Sequence, residues 1–333
     1  MENTNQIIFS VITPNYNSGE KLIRAINSLN SNSINFEHII IDDCSTDQSF
    51  ILAQQLESSM SSFNTVFLSN LLNSGPAVSR NKGLDIAKGK YILFLDADDY
   101  FIENALDILY DTIKSNNMPD ILTFDYQMIK STNETIDLTK DSNIANVICN
   151  PIKEYLLDKI ISAPWGKCIK SSLAKRYRFP DLEVSEDAIY NLDIFINAKS
   201  VFILPRTLYV FDKTESDTLT RKPFNITEFE KLKNGWNYFE RKSLREIELD
   251  DINQLISGRK IRFCALYYIS RLVVTPDAVT DKLIVNYIKS IITENILSSK
   301  KNINYKIKVF CILFYLFPNT TIDVLKKYKS NGF

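Results

Sequence analysis

The chain has 333 residues, with 39 Lys and Arg against 40 Asp and Glu, and a single histidine. One imidazole cannot supply the two or three histidine ligands of a zinc hydrolase, so that class of enzyme is excluded. A Ser-His-Asp or Cys-His centre could use only His38, and no candidate nucleophile stands beside it. Catalysis, if present, is therefore expected to depend on carboxylates.

The remaining composition indicates a folded cytoplasmic protein. Hydrophobic residues make up 45% of the chain, which is enough for the core of one large domain or two smaller ones. The five cysteines are far apart and form no CxxC pair, which predicts reduced thiols. We expect neither a signal peptide nor a membrane span, because no suitable apolar stretch is present. The net charge of −1 argues against binding to nucleic acid.

Short apolar runs alternate with helix-like segments over the first hundred residues. In chain order, the pattern predicts strand 7–13, helix 19–31, strand 38–41, helix 48–59, strand 65–68, helix 76–87 and strand 91–95. This alternation is typical of parallel βαβ units. Polar residues that follow such strands are candidates for function, because ligands of α/β sheets bind at the carboxyl ends of the strands.

The second half of the chain has a different pattern. Residues 100–215 mix helix and strand, whereas the sequence from about residue 224 is mainly helical, with candidate helices at 229–242, 250–274 and 282–297. We therefore predict an α/β domain over residues 1–220 and a helical region over residues 221–333.

The first predicted strand is followed by Pro14, Asn15 and Tyr16. Proline lacks an N–H donor, so the strand is expected to end there and the polar residues to leave the sheet. A tyrosine ring at this edge could stack on a planar base. The alternative is a simple turn before a helix capped near Ser18.

The second predicted strand is followed by Asp42 and Asp43. A carboxylate at this edge could accept a hydrogen bond from the N–H of a uracil or guanine. The alternative is helix capping by Ser45 or Asp47, which does not account for the aspartate pair before them.

Asp96, Asp98 and Asp99 follow the apolar strand at 91–95. Alternation along an extended chain puts Asp96 and Asp98 on the same side, where two carboxylates suit Mg²⁺ or Mn²⁺ on a diphosphate. The alternative is that Asp98 or Asp99 caps a helix starting near Phe101. An EF-hand is disfavoured, because the loop glycine and the final glutamate are missing.

Two further motifs contain charged residues of interest. Arg80, in the predicted helix 76–87, either faces a nucleotide site or is solvated on the surface. Glu186 and Asp187 begin a segment with helical spacing, so they are either first-turn helix carboxylates or include a general base.

Taken in order, these motifs resemble family 2 glycosyltransferases with the GT-A fold. The resemblance covers residues 10–219: a Pro-x-Tyr-Asn strand end, Asp-Asp-x-Ser-x-Asp, Ala-x-x-Arg-Asn-x-Gly, Asp-x-Asp-Asp and a late Glu-Asp. It implies a Rossmann-like, mainly parallel sheet flanked by helices, here with a helical C-terminal extension.

The resemblance also implies a set of site residues. It assigns the nucleotide-sugar site to Pro14, Asn15, Tyr16, Asp43, Arg80, Asp96, Ala97 and Asp98. The first strand end would flank the base and Asp43 would hydrogen-bond it, while Asp96 would face the ribose. Asp98 would ligate Mn²⁺ or Mg²⁺ on the diphosphate. Asp187 matches the catalytic base, and Trp165 and Glu186 fall on the acceptor side.

The implied reaction is transfer of a sugar from a nucleotide sugar, expected to be a UDP-sugar, to a hydroxyl of a glycan or lipid-linked acceptor in surface polysaccharide synthesis. Asp187 would deprotonate that hydroxyl for an inverting displacement. Trp165 could equally be a core residue. One departure is Lys213, which stands where many relatives have an Arg or His near the diphosphate. The alternatives are a non-catalytic sugar-binding or nucleotide-binding partner and a nucleotidyltransferase, whose Gly-rich loop is missing.

The C-terminal tail is basic. Residues 300–333 contain seven Lys and one Asp, a net charge of +6, which leaves −7 for the rest of the chain. Residues 309–317 are wholly apolar, too short to span a bilayer but suited to lie on one. We therefore predict peripheral contact of residues 300–329 with the cytoplasmic face of a membrane. The alternative is a buried helix with solvated Lys ends.

Overall fold

The computed structural model describes residues 6–30, 32–59, 64–131, 134–137, 146–182, 184–214, 225–265, 267, 269, 278–296 and 303–330. Its strands are β1 (Phe9–Asn15), β2 (Phe36–Asp42), β3 (Asn64–Ser69), β4 (Tyr91–Phe94), β5 (Tyr100–Phe101), β6 (Ile121–Ser131), β7 (Glu134–Asp137), β8 (Asn146–Ile148), β9 (Lys167–Lys170) and β10 (Val201–Asp212). Its helices are α1 (Lys21–Asn27), α2 (Ser49–Ser59), α3 (Gly75–Ile86), α4 (Ala105–Ser115), α5 (Pro151–Leu156), α6 (Ser171–Ala174), α7 (Glu186–Asn197), α8 (Ile226–Glu246), α9 (Ile252–Arg259), α10 (Ala278–Asn295), α11 (Tyr305–Leu316) and α12 (Pro318–Ser330).

The described strands form one mixed sheet, in the order β3-β2-β1-β4-β9-β6-β10-β5, with β7 beside β6 and β8 beside β10. The longest ladders, β1 with β2 and β6 with β10, are parallel, as are β2 with β3 and β1 with β4. The short strand β9 is antiparallel to both β4 and β6. The predicted α/β architecture is confirmed, and the antiparallel insertion was not foreseen.

The central strands are buried because both faces of the sheet are covered, and their polar side chains are buried together with the apolar ones. Every residue of β2 and of β4 is buried. His38 lies in the middle of β2, where its Nε2 is 2.9 Å from the hydroxyl of Thr13, and burial lowers its pKa to about 3. The single histidine is thus a neutral residue of the core.

The expectation that Pro14 ends the first strand was wrong. Strand β1 continues to Asn15, and Pro14 pairs with Ile41 of β2. The carbonyl of Ile12 accepts the N–H of Leu95, so the main-chain groups of Ile12 face β4. Main-chain groups two residues apart in a strand face the same neighbour, so the nitrogen of Pro14 also faces β4. Because β4 ends at Phe94, the missing N–H of Pro14 leaves no ladder bond unmade.

By its internal contacts the chain divides into two compact units, residues 1–151 with 161–216 and residues 152–160 with 217–333. The sequence did not indicate that residues 152–160 group with the C-terminal part. Arg259 of α9 is buried, and it forms an ion pair with Asp158 at 2.9 Å and a bond to the carbonyl of Tyr155. Arg262 reaches Asp158 at 2.7 Å. These contacts tie the short segment to the second unit.

The second unit is helical, as predicted. The predicted helix 250–274 appears as α9 followed by a π-helical turn, Lys260–Ala265, and most of its remainder lies outside the described residues. Among the described residues, no single helix is long and apolar enough to cross a membrane. Helices α11 and α12 pass that test only when counted together, with a bend of 118° between them.

Gly89 lies where the chain enters β4, against the start of β1. A Cβ atom there would be 2.4 Å from the backbone nitrogen of Ser10 and 2.6 Å from the carbonyl carbon of Phe9. We expect Gly89→Ala to lower the free energy of unfolding by about 1–3 kcal/mol, because backbone atoms must move. Urea denaturation measures this change. Lys88→Ala, at the exposed preceding position, is the control and should change it by less than about 0.5 kcal/mol.

Candidate functional site

Arg80 of α3 brings together the ends of two other elements of the first unit. Its guanidinium donates to Oδ1 of Asp96, after β4, at 2.8 Å and to Oε1 of Glu186, at the start of α7, at 3.4 Å. The Arg80 side chain is buried, and the ring of Phe179 lies 5.5 Å from the guanidinium carbon. The surface-arginine alternative is therefore wrong for Arg80.

The charge of Arg80 is compensated from several sides. Burial by itself would lower its pKa, but the carboxylates of Asp96 and Glu186, with Asp187 further away, raise it overall. The guanidinium is thus permanently charged. It acts as a buried cation in a cluster of three carboxylates.

Glu186 and Asp187 occupy the first turn of α7, after Ser185 in a left-handed conformation. Burial raises the pKa of Glu186 to about 7, and the charge of Asp187 adds to this while Arg80 opposes it. Burial also raises the pKa of Asp187, against the effects of Arg80 and of the Ala188 N–H, which donates to Oδ1 at 2.7 Å. Two carboxyl groups with raised pKa values therefore lie beside one guanidinium.

Asp96, Asp98 and Asp99 form a tight turn after β4, in which the N–H of Asp99 donates to the carbonyl of Asp96 at 3.0 Å. Burial raises the pKa of Asp98, and the neighbouring carboxylate of Asp96 raises it further. The predicted helix near Phe101 does not exist, because β5 lies there and α4 begins at Ala105. Asp98 and Asp99 therefore do not cap a helix.

Ala97 lies between the two acidic residues but its side chain faces the other way. It is buried against Leu22, Ile26, Ile40 and Ala53. Any contact of Ala97 with a ligand would therefore come from its backbone.

Three predicted residues lie at the ends of β1 and β2. The ring of Tyr16 is 49% exposed, whereas Asn15 and Asp43 are buried. The amide nitrogen of Asn15 donates to Asp42 at 2.8 Å, and its Oδ1 accepts no hydrogen bond from the described residues. The side chain of Asn15 thus joins the ends of β1 and β2, and its Oδ1 is left as an acceptor without a partner among the described residues.

The carboxylate of Asp43 binds the start of α3. It accepts the N–H of Gly75 at 2.7 Å and of Ser74 at 2.9 Å, and the side-chain amide of Asn70 at 2.7 Å. A carboxylate is favourable there because the first N–H groups of a helix lack partners. The capping alternative holds for Asp47, which accepts the N–H of Ser49 at the start of α2.

Trp165 is not available to an acceptor sugar. Its side chain is 4% exposed, and its ring stacks on Tyr209 with centroids 4.6 Å apart and packs edge-on against Tyr126. The expectation of an acceptor contact at Trp165 is therefore corrected, and the core alternative describes this residue.

The oxygen ligands at the end of β4 fit a divalent cation that is shared with a substrate. Among the described residues, no group of three or more His, Cys, Asp or Glu side chains could enclose a metal ion. Mg²⁺ and Mn²⁺ do not need such a cage, because they often take one or two carboxylates together with phosphate oxygens and water. Burial, and then the neighbouring carboxylate of Asp96, raise the pKa of Asp98, and a bound cation would stabilise its charged form.

Several residues around this turn, and one near Asp187, were missed by the sequence analysis. Arg24 forms hydrogen bonds to Asp98 and Asp212. Tyr209 and Asp212 each form a hydrogen bond to Asp99. The buried ammonium of Lys167 donates to the carbonyls of Ala163 and Trp165. No local pattern identifies them, because each partner is distant in sequence or is a main-chain atom. Lys213, which was singled out, lies with its ammonium 4.8 Å from the ring of Phe211.

The raised pKa of Glu186 has a consequence for stability. Because its pKa is about 7 in the folded protein against 4.5 ordinarily, the folded state binds the proton more tightly, so this group makes stability fall as pH rises from about 4.5 to 7. We expect Glu186→Gln to reduce that fall. Thermal denaturation at pH 5 and pH 8 measures it, with exposed Glu103→Gln as control. An equal fall in wild type and Glu186→Gln would contradict the assignment.

Comparison with known proteins shows what the first half of the chain is similar to. Residues 10–158 match the family model "Glycosyl transferase family 2". The chain is 30% identical over 210 residues to a poly(ribitol-phosphate) beta-glucosyltransferase of Bacillus spizizenii, covering 58% of this chain and 30% of the relative. It is 33% identical over 205 residues to the poly(ribitol-phosphate) beta-N-acetylglucosaminyltransferase TarP of Staphylococcus aureus, covering 58% and 59%.

This chain spans less than two thirds of the length of either relative, 30% of the first and 59% of TarP. Among solved structures, residues 1–349 of S. aureus TarS in complex with UDP-GlcNAc superpose with a TM-score of 0.72 at 20% identity, over 98% of this chain and 92% of that one. At this identity the similarity establishes the fold. Residues 10–158 of this chain are thus similar to family 2 glycosyltransferases, and the chain has the GT-A fold of the TarS structure.

Proposed function

We propose that this chain transfers a sugar from a nucleotide sugar, a UDP-sugar, to a hydroxyl of a glycan or lipid-linked acceptor in surface polysaccharide synthesis. The observation that supports this most is the cluster in which Arg80 joins Asp96 at the end of β4 to Glu186 and Asp187 at the start of α7. The relatives named above are glycosyltransferases of poly(ribitol phosphate), and the TarS structure contains UDP-GlcNAc.

The donor base would bind at the ends of β1 and β2. The exposed ring of Tyr16, next to Pro14, offers a face for stacking on uracil. The free Oδ1 of Asn15 is an acceptor close by. Asp43 already accepts three hydrogen bonds, so its expected bond to the base would use the one lone-pair site that remains.

The ribose and diphosphate would lie over the acidic turn. Asp96 is held by Arg80 and would face the ribose, while the carboxylate of Asp98 would hold Mn²⁺ or Mg²⁺. The cation, when bound, would offset the negative charge that develops on the departing diphosphate. Asp98 and the diphosphate oxygens together supply the hard ligands that such cations prefer.

Asp187 is the proposed general base. It would take the proton from the acceptor hydroxyl, whose oxygen attacks the anomeric carbon on the face opposite the diphosphate and so inverts its configuration. Burial raises the pKa of Asp187 toward the range useful for a base, and the charge of Arg80 opposes this by stabilising the carboxylate. Glu186, with a pKa of about 7, is the residue that we propose to bind an acceptor hydroxyl.

Asp187→Asn tests the base. The amide has nearly the same shape but cannot accept the proton, so we expect kcat to fall by about 10²–10⁴-fold while the Kd for UDP changes little. UDP release measures kcat with a panel of UDP-sugars, and calorimetry measures Kd with and without Mn²⁺. Asp193→Asn, on the same helix and outside the cluster, is the control.

The results of this experiment also separate the alternatives. Unchanged kcat in Asp187→Asn would contradict the base assignment. UDP-sugar binding without any turnover in the wild type would favour a non-catalytic binding protein. Formation of a nucleotide sugar from a sugar phosphate would favour a nucleotidyltransferase.

We also propose that α11 and α12 attach the chain peripherally to the cytoplasmic face of an anionic membrane. In the apolar segment 309–317 only the side chains of Cys311 and Phe314 are buried, and most of the others are exposed. This exposure does not favour the alternative of a buried helix. The following apolar side chains of the two helices, and of Phe317 between them, are at least 41% exposed: Tyr305, Val309, Ile312, Leu313, Tyr315, Leu316, Phe317 and Val324. Exposed Lys306, Lys326 and Lys327 belong to the same helices, which favours an anionic lipid surface.

Vesicle sedimentation tests the attachment. We expect the chain to sediment with phosphatidylglycerol vesicles and not with phosphatidylcholine vesicles, because the helices are basic. Leu313→Ser/Leu316→Ser/Phe317→Ser should abolish sedimentation, whereas Leu71→Ser/Leu72→Ser, at the exposed leucines of the first unit, should not. A wild type that stays in solution would contradict the proposal. Loss of a dimer in the triple variant would instead identify a self-association surface.

A further inference from the structure

We propose that Asp99, Tyr209, Asp212 and Arg24 form a positioning ring that holds the Asp96–Asp98 turn in the geometry needed to bind the donor diphosphate and its cation. This inference rests on the proposed function. None of the four residues has been given a role in the reaction above. Tyr209 and Arg24 contact the main chain of the acidic turn, and Asp99 and Asp212 link these two residues.

Asp99 is the centre of the ring. It is fully buried, and both of its carboxylate oxygens are used. Oδ2 accepts the hydroxyl of Tyr209 at 2.7 Å, and Oδ1 accepts the N–H of Asp212 at 2.9 Å. The third aspartate of the motif therefore anchors the turn to the end of β10 and is directed away from any ligand.

Tyr209 fixes the first residue of the turn. The N–H of Asp96 donates to the same hydroxyl oxygen of Tyr209 at 3.2 Å. The ring of Tyr209 is itself held in the core, because it stacks on Trp165 and packs edge-on against Phe101. The main chain at Asp96 is thus linked to a rigid aromatic group.

Arg24 fixes the other side of the turn. From α1, one guanidinium nitrogen donates to the main-chain carbonyl of Asp98 at 2.6 Å, and another donates to Oδ2 of Asp212 at 2.5 Å. The ring of Tyr100 lies 4.7 Å from the guanidinium carbon. Since the N–H of Asp212 is bound to Asp99, these contacts close the ring.

The ring therefore holds the main chain at Asp96, Asp98 and Asp99 from α1 and from β10. Two carboxylates that approach each other repel, so an unrestrained turn would separate them before a cation arrives. A restrained turn avoids that cost when the cation and diphosphate bind, because less freedom is lost on binding. The ring is expected to matter for cation-assisted binding in particular.

Tyr209→Phe is the first test, since it removes the hydroxyl that joins Asp96 to Asp99 and keeps the aromatic ring. The probe is UDP, titrated by calorimetry with Mn²⁺ and with EDTA. For the wild type we expect a lower Kd with Mn²⁺. For Tyr209→Phe we expect the Kd with Mn²⁺ to rise about 3- to 10-fold, the loss typical of one hydrogen bond, with little change in EDTA.

Tyr91→Phe is the matched control. Tyr91 is also a buried tyrosine of the sheet, and its hydroxyl donates to the carbonyl of Pro119 at 2.8 Å, at the opposite end of β4 from the acidic turn. Both variants lose one buried hydroxyl and should melt at lower temperature than the wild type. Only Tyr209→Phe should change the ratio of the two Kd values, which a purely structural role would leave unchanged.

Arg24→Gln opens the ring at its other side and keeps the test available if Tyr209→Phe does not fold. The Arg24 side chain is 40% exposed, so its replacement is expected to be tolerated. We expect the same selective rise in the Kd with Mn²⁺. In the double variant the fold-increase of the Kd with Mn²⁺ should be smaller than the product of the two single fold-increases, because either substitution alone already opens the ring.

The outcomes distinguish this inference from the function on which it rests. A wild type that fails to bind UDP under either condition would contradict both. A wild type that binds UDP equally with Mn²⁺ and EDTA would contradict the cation site and with it the ring. A wild type that depends on Mn²⁺, with unchanged Kd ratios in Tyr209→Phe and Arg24→Gln, would contradict the ring alone.

Discussion

The site depends on one buried cation, the guanidinium of Arg80. It lies among the carboxylates of Asp96, Glu186 and Asp187, which could not all be charged at this depth without it. Helix α3 can bring Arg80 this close because Gly83, one turn further on, has no side chain. A Cβ atom at Gly83 would be 2.5 Å from a methyl group of Ile12 in β1. The lack of a side chain at Gly83 thus allows α3 to pack against β1 and to hold Arg80 in the site.

The sequence was sufficient to select the polar residues that follow β1, β2 and β4 as candidates, because parallel strands end at a common edge. Asn15 contacts Asp42 across the ends of β1 and β2, and Arg80 of α3 contacts Asp96 after β4. It was insufficient at Pro14, because the effect of a proline depends on whether a neighbouring strand continues beside it. It was also insufficient at Trp165, since an aromatic residue near a site can face the ligand or the core.

The ring around Asp99 could not have been predicted, for a different physical reason. Asp99 is separated by 110 residues from Tyr209, and Arg24 by 188 residues from Asp212. Such contacts require the register of β10 against its neighbours, including a bulge between Leu204 and Thr207. A local pattern specifies which residues form a strand, but it does not specify which side chain of a distant strand meets them.

The grouping of residues 152–160 with the helical unit affects how the chain can be divided. The polypeptide leaves the first unit after residue 151, returns at residue 161 and leaves again after residue 216, so three connections join the two units. A single cut near residue 220 would place Asp158 and Arg259 on different fragments. The buried guanidinium of Arg259 would then lose the carboxylate with which it forms an ion pair. The first unit of this chain is therefore an interrupted module, which a domain exchange would carry over intact only together with the helical unit.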